Sequence, residues 1–148
     1  MILAYDVGGT SIRAALTDGH GRIVARASAP YPAAAPQTLA RRMAGLREEL
    51  AQDVSLCATG VAVAGSLNAS RTKVQRAENL GLYHAPIASE LLALGLPSPL
   101  VLLNDADAAT LAEWRLGALR GCHNAMLLTL GTGVGGGLIL DDKPFYGG

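Results

Sequence analysis

At 148 residues the chain is long enough for about one domain with a real hydrophobic core. Half of it is hydrophobic and only 16% is charged, a balance that argues for a globular fold and against disorder. Formal net charge is zero and no basic run occurs, so neither nucleic acid nor an anionic membrane is called for and the expected partner is a small molecule.

The first apolar stretch, residues 2–7, predicts a buried strand carrying Asp6 near its end. It is far too short for a signal or membrane segment, which makes the cytoplasm the expected compartment. Gly8-Gly9-Thr10 turns the chain into a second strand over 12–17, and Asp18-Gly19-His20-Gly21 turns it into a third over 21–28, an antiparallel meander. Pro30-Tyr31-Pro32-Ala33-Ala34-Ala35-Pro36 then breaks regular structure. Leu39, Met43, Leu46 and Leu50 recur at helical spacing and predict a helix over 38–52, with Arg41, Arg42, Arg47, Glu48 and Glu49 on its solvated side.

Residues 57–64 are apolar and partly β-branched, hence a central strand, which runs out into Gly65-Ser66. The polar stretch 68–81 has no periodicity and predicts no regular element. A short helix over 86–94 opens on Pro86, and 99–103 is a further buried strand leading straight into Asn104-Asp105. The next helix covers 106–119, with Asn104 or Asp105 as its N-cap and Asp107 complementing its dipole. A hairpin over 124–130 and 134–140 follows. The order describes an α/β fold: a mixed sheet of five-stranded type with flanking helices, whose ligand belongs at the strand ends where Asp6, Gly65, Asn104-Asp105 and Gly131 fall.

Two glycine-threonine turns carry the chemistry, Gly8-Gly9-Thr10 and Gly131-Thr132-Gly133. Glycine exposes backbone N–H groups and the threonine adds a hydroxyl, so each turn suits a phosphate oxygen, and the pair suits a polyphosphate. Asp6, just before the first turn, suits a hydrated divalent cation. Gly131, Gly133 and Gly136 fit G-x-G-x-x-G, but a strand follows where the dinucleotide fingerprint needs a helix. Neither turn ends in the Gly-Lys-Ser/Thr of a Walker loop. Cys57 and Cys122 have no C-x-x-C spacing and read as reduced, partly buried thiols, and His20, His84 and His123 show no metal-ligand spacing.

Taken together, these residues resemble the sugar kinases of the ROK family (repressor, open reading frame, kinase), within the class that shares an ATPase lobe of ribonuclease H-like type with actin and hexokinase. The resemblance runs the length of the chain. It rests on Asp6-Val7-Gly8-Gly9-Thr10 as first phosphate motif, Asn104-Asp105-Ala106-Asp107-Ala108-Ala109 as acidic motif and the 128–137 segment around Gly131-Thr132-Gly133 as second phosphate motif. Asn79-Leu80 is similar to the family's sugar-contacting asparagine.

The resemblance implies phosphoryl transfer from ATP to a hexose of glucose type, with Mg2+ as cofactor. Asp105 is then the catalytic base, accepting the sugar hydroxyl's proton. Gly65, Asn79, Asn104 and Asp105 make up the sugar site; Asp6, Gly8, Gly9, Thr10, Gly131, Thr132 and Gly133 serve the nucleotide, Asp6 by orienting the metal. Asp105 taken alone also reads as a plain helix cap; Arg13 has two readings, a phosphate contact or a side chain projecting into solvent, the second favoured. The family's proline before the glycine at 65 and its aspartate shortly after are replaced here by Ala64 and Asn68.

Family members continue past residue 148 to a Glu-x-Gly-His segment, a cysteine-rich zinc site and a second domain. The resemblance therefore implies that residues 1–148 are the amino-terminal lobe of a two-lobe kinase, that structural zinc belongs only to the part beyond, and that the lobe alone is inactive or nearly so. Self-association as a homodimer is left open. The alternatives are a sugar-responsive repressor of the same family, which carries a DNA-binding domain ahead of the first phosphate motif, and a non-catalytic sugar- or nucleotide-binding module.

Overall fold

The computed structural model describes residues 1–32, 35–131 and 133–146. They form two compact units, Met1–Leu103 and Asn104–Gly148. The strands are β1 (Ile2–Val7), β2 (Ser11–Thr17), β3 (Ile23–Pro30), β4 (Ala58–Val63), β5 (Ser66–Leu67), β6 (Val74–Ala77), β7 (Leu82–Ala85), β8 (Leu100–Asn104), β9 (Ala125–Leu130), β10 (Val134–Leu140) and β11 (Lys143–Phe145). The helices are α1 (Pro36–Ala51), α2 (Ile87–Ala93) and α3 (Asp105–Leu116), with a 3-10 turn at Glu78–Leu80.

The first unit is built on a five-stranded sheet in the order β3-β2-β1-β4-β8. β1 lies antiparallel to β2 and parallel to β4, which makes the sheet mixed, as the element order predicts. Pleating sends alternate side chains to one face, and there Leu3, Tyr5 and Val7 line up with Ile12, Ala14, Leu16, Val61 and Val63 in the core. Helix α1 packs on β2 and β3, and α2 on α1. Leu39 and Met43 of α1 are fully buried, each worth about 1.5–3 kcal/mol of transfer free energy. The Tyr5 hydroxyl donates to the Met43 carbonyl at 2.7 Å, and burial pushes that phenol well above its ordinary pKa, so it stays a donor.

Three boundaries differ from expectation for local reasons. β3 starts at Ile23, not residue 21, because the Asp18 carboxylate accepts from the His20 and Arg22 N–H groups at 2.9 Å each and holds those residues in the turn. α1 starts at Pro36, since proline fits a first turn whose N–H groups need no intrahelical partner. α3 stops at Leu116 because the Glu113 carboxylate takes the Ala118 N–H at 2.7 Å and the Glu113 carbonyl takes the Gly117 N–H at 3.0 Å.

The stretch 68–81, expected to lack regular structure, contains β6 and the 3-10 turn, and the antiparallel sheet β5-β6-β7 frames it. β6 and β7 each bury their first and last residues (Val74 and Ala77, Leu82 and Ala85) and expose the middle two, so no period of two reaches the sequence. Cys57 sits one residue ahead of β4 and is exposed, against the expectation of a strand position; Cys122 is half-buried and both are free thiols.

In the second unit α3 packs on the antiparallel sheet β11-β10-β9. The last strand, β11, goes unforeseen because its turn is Asp141-Asp142 and lacks the usual glycine. Both aspartates have positive φ (48° and 59°), as a two-residue hairpin turn demands and as Asp tolerates. Asn124 Oδ1 accepts the Asp141 N–H at 3.0 Å and the His123 carbonyl the Asp142 N–H at 3.0 Å, which fixes the turn.

Candidate active site

In the first unit, β1 and β4 run parallel with Val7 beside Val63, so the 8–10 turn and Gly65 leave the same end of neighbouring strands. The 8–10 turn closes through the Gly8 N–H on the Ser11 carbonyl at 3.0 Å, and Gly9 and Thr10 are exposed. Asn79 is exposed on the 3-10 turn and lies against it: a Cβ at Gly9 would stand 3.4 Å from the Asn79 carbonyl oxygen and 3.7 Å from its Cβ. A first phosphate-type turn and an amide suited to sugar hydroxyls are thus neighbours, although 68 residues of chain lie between Thr10 and Asn79.

Two local devices aim Asn79. Leu80 is buried and anchors the 3-10 turn, while Gly81, at φ +63°, takes the left-handed conformation that ends it and donates its N–H to the Glu78 carbonyl at 3.0 Å. Gly65 supports the same element from below. A Cβ there would stand 2.6 Å from Ala77 Cβ and 2.7 Å from the Arg76 carbonyl oxygen, so β6 itself occupies the space that glycine leaves. That packing is a reason for glycine at 65 that motif reading does not supply.

Asp6 and Arg13 face each other across β1 and β2 and form an exposed ion pair at 3.4 Å. Arg13, expected in solvent, is indeed 72% exposed, with this carboxylate as its partner. An exposed pair of this kind adds little to stability, so the Asp6 carboxylate stays accessible. Among the described residues no three of His, Cys, Asp and Glu gather as a metal cluster. A divalent cation at Asp6 would accordingly keep most of its waters, a mode that suits magnesium and one carboxylate.

In the second unit the question of the α3 cap resolves. Asn104 is the N-cap, its Oδ1 accepting from the Ala106 N–H at 2.9 Å and the Asp107 N–H at 3.3 Å. Asp105 is the first helical residue, is exposed, and shares only the Ala106 N–H, at 3.0 Å. The helix does not need its carboxylate as a cap. Asp107, half-buried in the first turn, complements the helix dipole as expected.

Four glycines of the 131–137 run divide into two kinds; at the fifth, Gly136, a Cβ would stand 3.2 Å from both the Leu127 carbonyl oxygen and Leu128 Cδ2 on β9. A Cβ added at Gly131 or Gly133 would meet nothing within 4 Å, and both stand exposed in a turn closed by the Gly131 N–H on the Gly133 carbonyl at 3.0 Å. Thr132, the expected hydroxyl of this turn, lies outside the described residues. Gly135 and Gly137 instead make room for neighbours: a Cβ at Gly135 would stand 2.6 Å from Thr129 Oγ1 on β9 and 3.3 Å from Ala106 Cβ on α3, and one at Gly137 would strike the Thr110 hydroxyl and come within 3.2 Å of the Ala106 carbonyl oxygen. The helical turn that carries Asp105 is therefore pressed onto β10 two residues from the open 131–133 turn.

Sequence reasoning passes over two functions here. It places the 128–137 segment in one phosphate motif and gives Gly135 and Gly137 no part in seating a helix. It also takes Pro30-Tyr31-Pro32 as a mere break, although an aromatic between two prolines is an anchoring signal, and Tyr31 proves to bond both turns of the first unit. Among the described residues no helix is long and apolar enough to cross a membrane.

Comparison with known proteins agrees with these motifs. The chain is 33% identical over 144 residues to a glucokinase of Streptomyces coelicolor, covering 97% of this chain and 44% of that protein. It is 39% identical over 151 aligned positions to an N-acetylmannosamine kinase of Shigella boydii, covering 98% and 49%. The crystal structure of a ROK family glucokinase from Streptomyces griseus in complex with glucose and AMPPNP superposes with a TM-score of 0.89 at 31% identity, over 99% of this chain and 46% of that one. The chain thus spans less than half the length of each of these three proteins, and its fold is the mixed α/β arrangement of ROK sugar kinases, of the actin and hexokinase class. With the family model matching residues 2–148, this chain belongs to the ROK family.

Proposed function

We propose that the whole protein phosphorylates a hexose at the expense of ATP, and that residues 1–148 supply its catalytic base and both phosphate-binding turns. The observation that carries this reading is the exposed Asp105 carboxylate, relieved of capping by Asn104 and set on a helical turn beside the open 131–133 turn. A sugar hydroxyl is a poor nucleophile, and a carboxylate that accepts its proton as it meets the γ-phosphoryl group supplies what the reaction lacks.

The other residues take roles that their chemistry suits. Asn79 and Asn104 bear amides that pair with sugar hydroxyls, and Gly65 holds the Asn79 element in place. The backbone N–H groups of Gly8, Gly9, Thr10, Gly131 and Gly133, with the Thr10 and Thr132 hydroxyls, cradle phosphate oxygens. Asp6 would hold Mg2+ through water, and the ion supplies neutralisation of phosphate charge. Because the matched relatives extend well beyond the region this chain spans, the activity is assigned to the protein with that complementary part in place; the 148 residues alone should turn over poorly, with the reacting groups open to water. We place the reaction in the cytoplasm, where ATP and free hexoses meet.

Relatives named for glucose and for N-acetylmannosamine frame the substrate choice, and a glucose-type hexose is our first candidate. A coupled ADP-release assay over glucose, mannose, fructose and N-acetylmannosamine should show release stimulated by one of them, matched mole for mole by sugar phosphate. ADP release unaffected by every sugar would contradict the kinase reading and favour a binding module.

A further inference from the structure

We propose that Tyr31 is a positioning residue that ties the 8–10 phosphate turn to the turn bearing Asn79, and so sets sugar affinity; the inference rests on the sugar-kinase reading above. Its two ends hold the two turns. The Tyr31 N–H donates to the Thr10 carbonyl at 3.0 Å, extending the β2–β3 ladder by one bond past Ser11 and Pro30. Its phenol hydroxyl donates to the Leu80 carbonyl at 2.6 Å, across 49 residues of sequence.

The ring is half-buried and packs on the core of the first unit, which holds it in one place, and burial raises the phenol's pKa so that it remains a donor. The bond falls where the site has least support of its own. The Asn79 turn is a single 3-10 turn, closed by one backbone bond from Gly81 to Glu78, and its flanking strands are four residues each. Leu80 is the residue after Asn79, so a fixed Leu80 carbonyl fixes the direction in which the asparagine leaves the turn. With the Asn79 carbonyl packed close to Gly9, the phenol completes a frame in which sugar-side amide and phosphate turn keep a constant spacing. A turn fixed in advance loses less freedom when a sugar hydroxyl binds its amide, which favours sugar affinity.

Tyr31→Phe keeps the ring and removes only the hydroxyl, so it separates aiming from packing. Two measurements on the whole protein decide the matter. Hydrogen exchange at the Gly81 amide, which closes the Asn79 turn, should quicken by about tenfold in the variant while amides of β1 and β4 are unchanged. In kinetics, the KM for sugar should rise about three- to tenfold, with the KM for ATP and kcat at saturating sugar within twofold of the wild type. A purely structural tyrosine would instead lower thermal stability and the active fraction, cutting kcat and leaving the sugar KM alone; that result overturns the proposal, as does unchanged exchange at Gly81. If the wild type turns over no sugar, the kinase reading fails on its own account, and the exchange result still decides whether Tyr31 fixes the turn.

Discussion

Asp105→Asn is expected to lower kcat by about 10²–10⁴-fold, the usual worth of a positioned general base, while leaving sugar affinity close to the wild type. The substitution preserves size and keeps an oxygen able to accept the Ala106 N–H, so the local hydrogen bonding at the start of α3 survives. The helix is not undone, because its cap is Asn104, whose Oδ1 holds the Ala106 and Asp107 N–H groups regardless of what stands at 105. What disappears is a carboxylate able to accept a proton. Steady-state ADP release, with sugar binding measured by calorimetry, separates the two effects. A variant with kcat within a few fold of the wild type would show that position 105 is only a helix residue.

Gly137→Ala is expected to destabilise the protein by about 1–3 kcal/mol, through overpacking, and to lower kcat with it. The added methyl group would strike the Thr110 hydroxyl, which is buried and donates to the Ala106 carbonyl at 2.7 Å. Rotating the hydroxyl away does not relieve the clash, because the new methyl would still stand 2.9 Å from Thr110 Cβ and 3.2 Å from the Ala106 carbonyl oxygen; α3 must lift from β10. Its first turn carries Asn104 and Asp105, so the base moves along with the packing. Denaturant melts report the stability change and ADP release the loss of turnover. Gly131→Ala is the contrast: a Cβ there meets nothing within 4 Å, and stability should change by no more than about 0.5 kcal/mol. Equal destabilisation by the two would refute the division of the glycine run.

The main sheet and its helices are legible in the sequence because each is long enough to show its period. Leu39, Met43 and Leu46 mark α1, and the alternation of Leu3, Tyr5 and Val7 marks β1. The sheet β5-β6-β7 is illegible for the opposite reason. Its strands of two and four residues are too short for a period, and Val74 and Ala77 are buried by their ends, not by alternation. Chemistry-bearing residues stand out by type, so Asp6, the glycine-threonine turns and Asn104-Asp105 can be read from the chain. Their division of labour cannot. The sequence leaves Asn104 and Asp105 as equal candidates for the cap, because both residue types fill it and only the side-chain geometry separates them. That Gly135 and Gly137 seat a helix and that Gly65 makes room for Ala77 are facts of packing between residues apart in sequence, and no local pattern records them.

In the proposed function the two glycine turns both bind a nucleotide's phosphates, which hydrogen exchange on the whole protein can test, with and without a non-hydrolysable ATP analogue in the presence of sugar. Amides of the 8–10 and the 131–133 turns should gain protection together as the analogue saturates. Protection confined to one turn, or to neither, while the analogue is shown to be bound would contradict it.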